Sequence, residues 1–401
     1  MKYVVILADG MADYPIEALG GKTPMEKAKK PTMDRLASEG KQFLVKTVPD
    51  SLKPGSDVAN LSVMGYDPLQ YYTGRSPLEA ASIGIDLLST DTALRVNLVT
   101  LSDEPEFKDK TMLDYSAGEI STEESSVLLK AIDEQLRTDH YYFQSGVSYR
   151  HIMVWKNAPE NLTLTPPHDI SDRKIAEYLP NDPTLLAIME ASAKVLKDHP
   201  INQKRIAQGK NPATSLWPWG EGKKPSMPTF KEKFGIEHGS VISAVDLIKG
   251  LGKCMELDVI DVEGATGNVD TNWDGKANAA INALKNGSSF LYVHMEAPDE
   301  SGHQGSVENK VFSIEAIDEK VLTPIVAYLD STGENYRVLV LPDHPTPICT
   351  KTHAGDPVPC LFYEKETAQE KAIQVFSEKN AALSKDVFAP GDLLMQWFLH
   401  S

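Results

Sequence analysis

Residues 3–10, YVVILADG, decide the fold. From Tyr3 to Leu7 every side chain is large and apolar with no polar alternation, which suits a strand covered on both faces. The run stops at Ala8 and meets an acidic residue, Asp9, at once. The same grammar recurs late in the chain. Phe290 to His294 (FLYVH) runs on through MEAP to Asp299, and Arg337 to Leu341 (RVLVL) is followed by a proline and Asp343. Helical patterns separate these runs: Thr32 to Ser38, opened by Pro31 and stopped by Gly40, and Val311 to Leu329. Strand, helix, strand at this spacing predicts an α/β fold, a mostly parallel sheet with helices on both faces.

The middle of the chain has another rhythm. Arg95 to Leu101 and Tyr141 to Trp155 alternate apolar with polar residues, as antiparallel strands with one wet face do. A helix is expected from Ser121 to Leu136, with Ser121 and Glu124 at capping-box spacing. These segments predict a smaller α+β domain inserted at 101–180 into a catalytic domain made of 1–100 and 181–401. Asn181 to Lys197 reads as a long helix leading back, and residues 208–230 as an ordered loop holding Trp217 and Trp219.

A length of 401 residues allows one large domain with an insertion, or two domains. The 40 Lys+Arg against 57 Asp+Glu give a net charge of −17, which argues against nucleic acid or an anionic membrane as partner. The three cysteines, Cys254, Cys349 and Cys360, have no CxxC spacing, so thiolate zinc sites and disulfide scaffolds are not expected. No apolar run approaches the ~20 residues needed to span a bilayer. The expectation is a soluble cytoplasmic protein whose oligomeric state the sequence does not give.

Ligands of open parallel sheets bind beyond the carboxyl ends of the strands, where Asp9, Asp299 and Asp343 are delivered. Asp299 and His303 stand four apart in PDESGH; if Pro298 starts a helical turn, both face one way and can hold one metal. Asp343 and His344 are adjacent and are expected to point to two neighbouring ions. His353 follows in KTHAGDP. One such histidine is usually a surface or capping residue, but three with three aspartates predict a two-metal site. Imidazole and carboxylate without thiolate favour Mn²⁺ or Zn²⁺ over Mg²⁺. Paired metals about 3.5–4 Å apart serve phosphoryl transfer. The nucleophile candidate is Ser56 in KPGSDVANLS, at the start of a helix whose free N–H groups suit a phosphate. Asp57 reads as a capping or supporting group. Gly20-Gly21-Lys22-Thr23 lacks the first glycine of a P-loop, and Gly250-Leu251-Gly252 lacks the third of a dinucleotide fingerprint.

ADGMAD at 8–13, LGGKTPMEKA at 19–28, PGSDVANLSVMGYDP at 54–68, TGRSPLEAASIGI at 73–85, HMEAPDESGH at 294–303 and DHPTPICTKTHAGDPVP at 343–359 resemble the archaeal-type cofactor-independent phosphoglycerate mutases of the alkaline-phosphatase superfamily. SYRHIMVWK, TPPHDI and GATGNVDTN add to the likeness, which spans nearly the whole chain. The resemblance implies that Asp9, Ser56, Asp343 and His344 hold one metal and Asp299, His303 and His353 the other. It implies that Ser56 carries a phosphoserine while 3-phosphoglycerate becomes 2-phosphoglycerate, with no 2,3-bisphosphoglycerate required, and that the inserted domain acts as a lid. Arg150 suits a substrate carboxylate or phosphate, with Arg75, Lys276, His168 and Asp169 as further substrate contacts. The alternatives are a small-molecule kinase of the same family, such as one acting on homoserine, a phosphatase, or a protein whose metals are structural.

Overall fold

The computed structural model describes residues 1–368, 374–384 and 387–400. Its strands are β1 (Lys2–Ala8), β2 (Lys41–Val45), β3 (Asp91–Leu101), β4 (Met112–Asp114), β5 (Tyr141–Gln144), β6 (Arg150–Lys156), β7 (Ser215–Lys223), β8 (Gly239–Ile242), β9 (Asp258–Ile260), β10 (Phe290–Met295), β11 (Tyr336–Leu341), β12 (Val358–Glu364) and β13 (Val387–Phe388). They fall into two compact units, Met1–Tyr72 with Met227–Ser401, and Thr73–Ser226.

The first unit holds an eight-stranded sheet in the order β13-β2-β12-β11-β1-β10-β8-β9. Pairing is parallel from β11 through β1, β10 and β8 to β9, and antiparallel where β12 joins β11 and β2. The three runs read from the sequence are thus the three adjacent central strands. β10 and β11 are buried along their whole length, as an apolar run without alternation requires. On one face Val4, Ile6, Leu291, Val293, Val338 and Val340 pack against Met33 and Leu36 of the Pro31–Glu39 helix, Ala280 and Leu284 of the Trp273–Lys285 helix, and Ile325 and Leu329 of the Thr323–Thr332 helix. On the other, Tyr3 meets Phe398 edge-on at 5.7 Å, Phe362 meets Trp397 at 4.7 Å and Phe290 meets Phe230 at 4.6 Å. Both faces are therefore covered, as expected. The helix expected over 311–329 runs from Val307 to Thr332, interrupted at Ile317–Leu322 by a wider π-helical turn. Pro324, which has no N–H to return to the preceding turn, follows at once.

In the second unit β3 is central, antiparallel to β6 on one side and to β7 on the other, with β5 beyond β6 and β4 against the end of β3. Leu94, Val96 and Leu98 pack on Leu128, Leu129 and Ile132 of the Thr122–Leu136 helix and on Leu185, Ile188 and Leu196 of the Pro183–Lys197 helix. This unit is wider than the 101–180 read from the sequence, because β3, the 183–197 helix and β7 all belong to its core. The loop expected at 208–230 contains β7: Pro218 opposes Val96 in a strand that, among the described residues, pairs with β3 alone, and an edge strand tolerates a proline. The capping box at Ser121 is half made. Ser121 Oγ accepts from the Glu124 N–H at 3.3 Å, while the Glu124 carboxylate turns instead to the buried guanidinium of Arg205. Among the described residues no helix is long and apolar enough to cross a membrane.

Candidate metal centre

Strand register brings the acidic residues together. β1 lies between β10 and β11, with Ala8 opposite Met295 and Leu7 opposite both His294 and Leu341, so the three chains leave the sheet side by side. After β1 the backbone turns at Gly10, whose φ of +62° and approach to Asp299 leave no room for a Cβ, which would stand 2.6 Å from the Asp299 Cα. After β10 the Ala297–Gln304 helix, with Pro298 in its first turn and Gly305 closing it at φ 73°, places Asp299 and His303 on one face. Their Oδ2 and Nε2 atoms are 3.2 Å apart. His353 Nε2 stands 3.5 Å from Asp299 Oδ1 and 3.0 Å from His303 Nε2.

After β11, His344 turns back on its neighbour: its Nε2 is 3.3 Å from Asp343 Oδ2 and 3.8 Å from Asp9 Oδ1. The two adjacent side chains thus converge, and His344 stands with Asp9 and Asp343 on one side and with Asp299 and His353 on the other. Ser56 is the first residue of the Ser56–Val63 helix, and its Oγ lies 3.1 Å from His344 Nε2. Gly55, not Ser56, occupies the cap, and Ser56's hydroxyl is not used to cap the helix. Asp57 is a helix-end group, as read: its Oδ1 accepts from the Val58 N–H at 2.9 Å and its Oδ2 from the Tyr72 hydroxyl at 2.6 Å.

Two groups of ligand atoms, Asp9–Asp343–His344 and Asp299–His344–His353, each lie within 4.8 Å of one another. The first is buried, whereas in the second the His353 side chain is 23% exposed, so the second group is the more open one. Donor logic fixes the rings. His303 Nδ1 can only donate to the Lys351 carbonyl at 2.9 Å. Thr346 gives its hydroxyl to Asp299 and so accepts from His344 Nδ1 at 3.3 Å. In the neutral rings both Nε2 lone pairs therefore face the centre, the tautomer a metal needs. Burial, then the neighbouring Asp343 and Asp299, push the Asp9 carboxyl well above its ordinary range. Asp9 Oδ1 is buried with no hydrogen-bond partner. Three converging carboxylates, an orphaned oxygen and lone pairs turned inward are what a pair of divalent cations would satisfy.

Sequence reasoning missed the supports. Asp343 Oδ1 accepts from the N–H groups of Gly10 at 3.2 Å and His344 at 2.9 Å, and Oδ2 from Asn60 Nδ2 at 2.9 Å. Asn60 is in turn held by the Tyr292 hydroxyl at 2.6 Å. Buried Lys310 ties the loops together through Asp13 at 2.8 Å and the Thr346 carbonyl at 2.8 Å. Only a four-residue spacing from Ser56 marks Asn60 in the sequence.

Of the expected substrate contacts, Lys276 is enclosed. Its ammonium donates to the His294 carbonyl at 3.1 Å, and burial lowers its pKa to about 8. It is fully buried against β10. Arg75, Arg150, His168 and Asp169 belong to the second unit. Arg75 and Arg150 are exposed, Arg150 lying over the Tyr149 ring at 4.4 Å. His168 stands edge-on to Trp219 at 5.3 Å and Tyr115 at 6.1 Å, with Asp169 3.6 Å from its Nε2.

A family profile described as 2,3-bisphosphoglycerate-independent phosphoglycerate mutase matches residues 37–202. The chain is 49% identical over its full length, and over the full length of the relative, to a protein of Geobacter sulfurreducens named as a probable 2,3-bisphosphoglycerate-independent phosphoglycerate mutase. It is 48% identical, over 95% of both chains, to the enzyme of that name from Methanosarcina acetivorans. Among solved structures, the cofactor-independent phosphoglycerate mutase of Thermoplasma acidophilum superposes with a TM-score of 0.69 at 28% identity, covering 99% of this chain and all of that one. A protein from Pyrococcus horikoshii superposes with a TM-score of 0.83 at 28% identity, covering 99% of this chain and 97% of that one. At this identity and coverage the chain belongs to the 2,3-bisphosphoglycerate-independent phosphoglycerate mutases, a family of isomerases.

Proposed function

We propose that this enzyme interconverts 3-phosphoglycerate and 2-phosphoglycerate through a phosphoserine at Ser56, without 2,3-bisphosphoglycerate. The observation that carries this reading is Ser56 itself, a hydroxyl excused from capping and placed 3.1 Å from His344 Nε2 at the N-terminus of a helix. In the first half-reaction the Ser56 oxygen bonds to phosphorus and loses its proton. The phosphorus–oxygen bond to the glycerate 3-oxygen breaks, and that oxygen gains a proton. The second half reverses these events at the 2-oxygen and regenerates the Ser56 hydroxyl. Asp9, Ser56, Asp343 and His344 are assigned to one divalent ion and Asp299, His303 and His353 to the other, with Mn²⁺ or Zn²⁺ suited to the donor set. Such ions supply positive charge for the serine oxygen and the phosphoryl group.

A mutase must also retain glycerate between the two halves. That role is assigned to the second unit, where Arg150 and Arg75 offer guanidinium groups for carboxylate or phosphate and His168 and Asp169 offer hydrogen bonds. The test is conversion of 3-phosphoglycerate by Mn²⁺-loaded protein in the absence of 2,3-bisphosphoglycerate. 2-Phosphoglycerate is the expected product, and Ser56→Ala should lower kcat on the order of 10⁴-fold or more, with folding stability within about 0.5 kcal/mol of the parent because no cap is lost. Inorganic phosphate as the main product, or full activity in Ser56→Ala, would overturn the reading.

A further inference from the structure

One buried histidine has no part in the ligand set above. His294, the fifth residue of β10, is 0% exposed, and its Nε2 lies 2.9 Å from Asp9 Oδ2. Its Nδ1 lies 3.1 Å from the hydroxyl of Ser243, which is itself 2% exposed and follows β8 directly. The Ser243 oxygen is in turn 3.0 Å from the Val245 N–H. One arrangement of hydrogens gives every donor an acceptor. The backbone of Val245 can only donate, and Asp9, ionised when it serves as a metal ligand, can only accept. His294 therefore carries its proton on Nε2 and gives it to Asp9, and Ser243 gives its hydroxyl proton to Nδ1. This is the opposite tautomer to that of His303 and His344, so His294 offers the centre a donor and not a lone pair.

The consequence falls on Asp9. Its Oδ2 is pinned by His294, and its Oδ1 is left without a hydrogen bond, 3.8 Å from His344 Nε2. The register explains why these residues meet. β10 lies between β1 and β8, with His294 opposite Leu7 on one side and the preceding Val293 opposite Ile242 on the other. The Lys276 ammonium, on the His294 carbonyl at 3.1 Å, holds the same residue from its main chain.

We propose that Ser243 and His294 are positioning residues that fix the Asp9 carboxylate with one oxygen occupied and Oδ1 aimed at the metal. This rests on the assignment of Asp9 as a metal ligand. A buried histidine that merely fills the core would give stability to the fold and no selective effect on metal binding.

The test is Mn²⁺ titration by calorimetry of the chelator-stripped full chain, with thermal unfolding of the metal-free proteins as the control for folding. The parent protein is expected to bind two Mn²⁺. Ser243→Ala should weaken one binding step on the order of tenfold and leave the other unchanged, and His294→Gln, which keeps an N–H for Asp9, should stay within about threefold of the parent. His294→Leu should lose more than Ser243→Ala at the same step. The inference falls if Ser243→Ala binds both ions as the parent does. It also falls if both steps weaken equally along with the metal-free melting temperature, for that is a structural role. Should the parent bind no Mn²⁺, the metal assignment itself fails, a result distinct from an unaltered Ser243→Ala.

Discussion

His151 shows what a single enclosed side chain imposes. It is 1% exposed within β6, its Nδ1 accepts from the Gly146 N–H at 3.2 Å, and its Nε2 has no partner. Burial pushes its pKa down to about 3. A folded pKa below the unfolded one means that the unfolded chain binds the extra proton. The contribution is therefore intact above about pH 6.5 and is lost as pH falls toward the folded value, by roughly 1.4 kcal/mol for each pH unit between. Urea unfolding of parent and His151→Leu at pH 7, 6 and 5 checks this, because every other titratable group is common to both and cancels. The gap between them should shrink in the parent's disfavour on acidification, and parallel curves would refute the argument. At this scale the sequence shows residues that carry chemistry better than residues that hold them. Asp9, Asp299, Asp343, His303, His344 and His353 stand out as donor types at strand ends. His294, Asn60 and Thr346 do not, because their roles are set by which strand or helix lies beside them, and no local spacing encodes that.

Elements were legible where their patterns are one-sided. The central strands announce themselves as unbroken apolar runs, and the Pro31–Glu39 and Ala297–Gln304 helices by proline near the start and glycine just after the end. β7 was not legible. Its Pro218, Gly220 and Gly222 read as turn residues, yet an edge strand tolerates a proline, and Gly222 is needed where a Cβ would stand 2.3 Å from the Thr73 carbonyl. The turn that follows β1 at Gly10 gives the element-scale prediction. Gly10→Ala combines a left-handed φ with a clash against the Asp299 backbone. It should cost about 1–3 kcal/mol of stability and lower kcat by more than KM changes, since what moves is the helix that carries Asp299 and His303. Denaturant unfolding and steady-state kinetics measure both, and a Gly10→Ala enzyme equal to the parent in each would show that the turn has slack.

For the molecule as a whole, the net charge of −17 has a local counterpart in Asp9, Asp299 and Asp343, carboxylates from three separate strand ends gathered at one edge of the sheet. Their repulsion opposes folding unless cations are bound. Removal of divalent ions with a chelator should therefore lower the melting temperature, and added Mn²⁺ should restore it, by about 2.7 kcal/mol at a hundredfold excess over Kd. An unchanged melting temperature on chelation would count against bound ions.

The order of the central strands has a further consequence, for synthesis. β1 is made first, but the neighbours it pairs with, β10 and β11, begin at Phe290 and Tyr336. Every strand of the second unit, by contrast, lies within Thr73–Ser226. A chain emerging from the ribosome can thus complete the inserted unit while β1, apolar from Tyr3 to Ala8, still waits for partners that begin only at Phe290 and Tyr336. Asp9 therefore meets Asp299 and Asp343 only after β10 and β11 have been made, and an unpaired β1 is in need of shielding until they arrive.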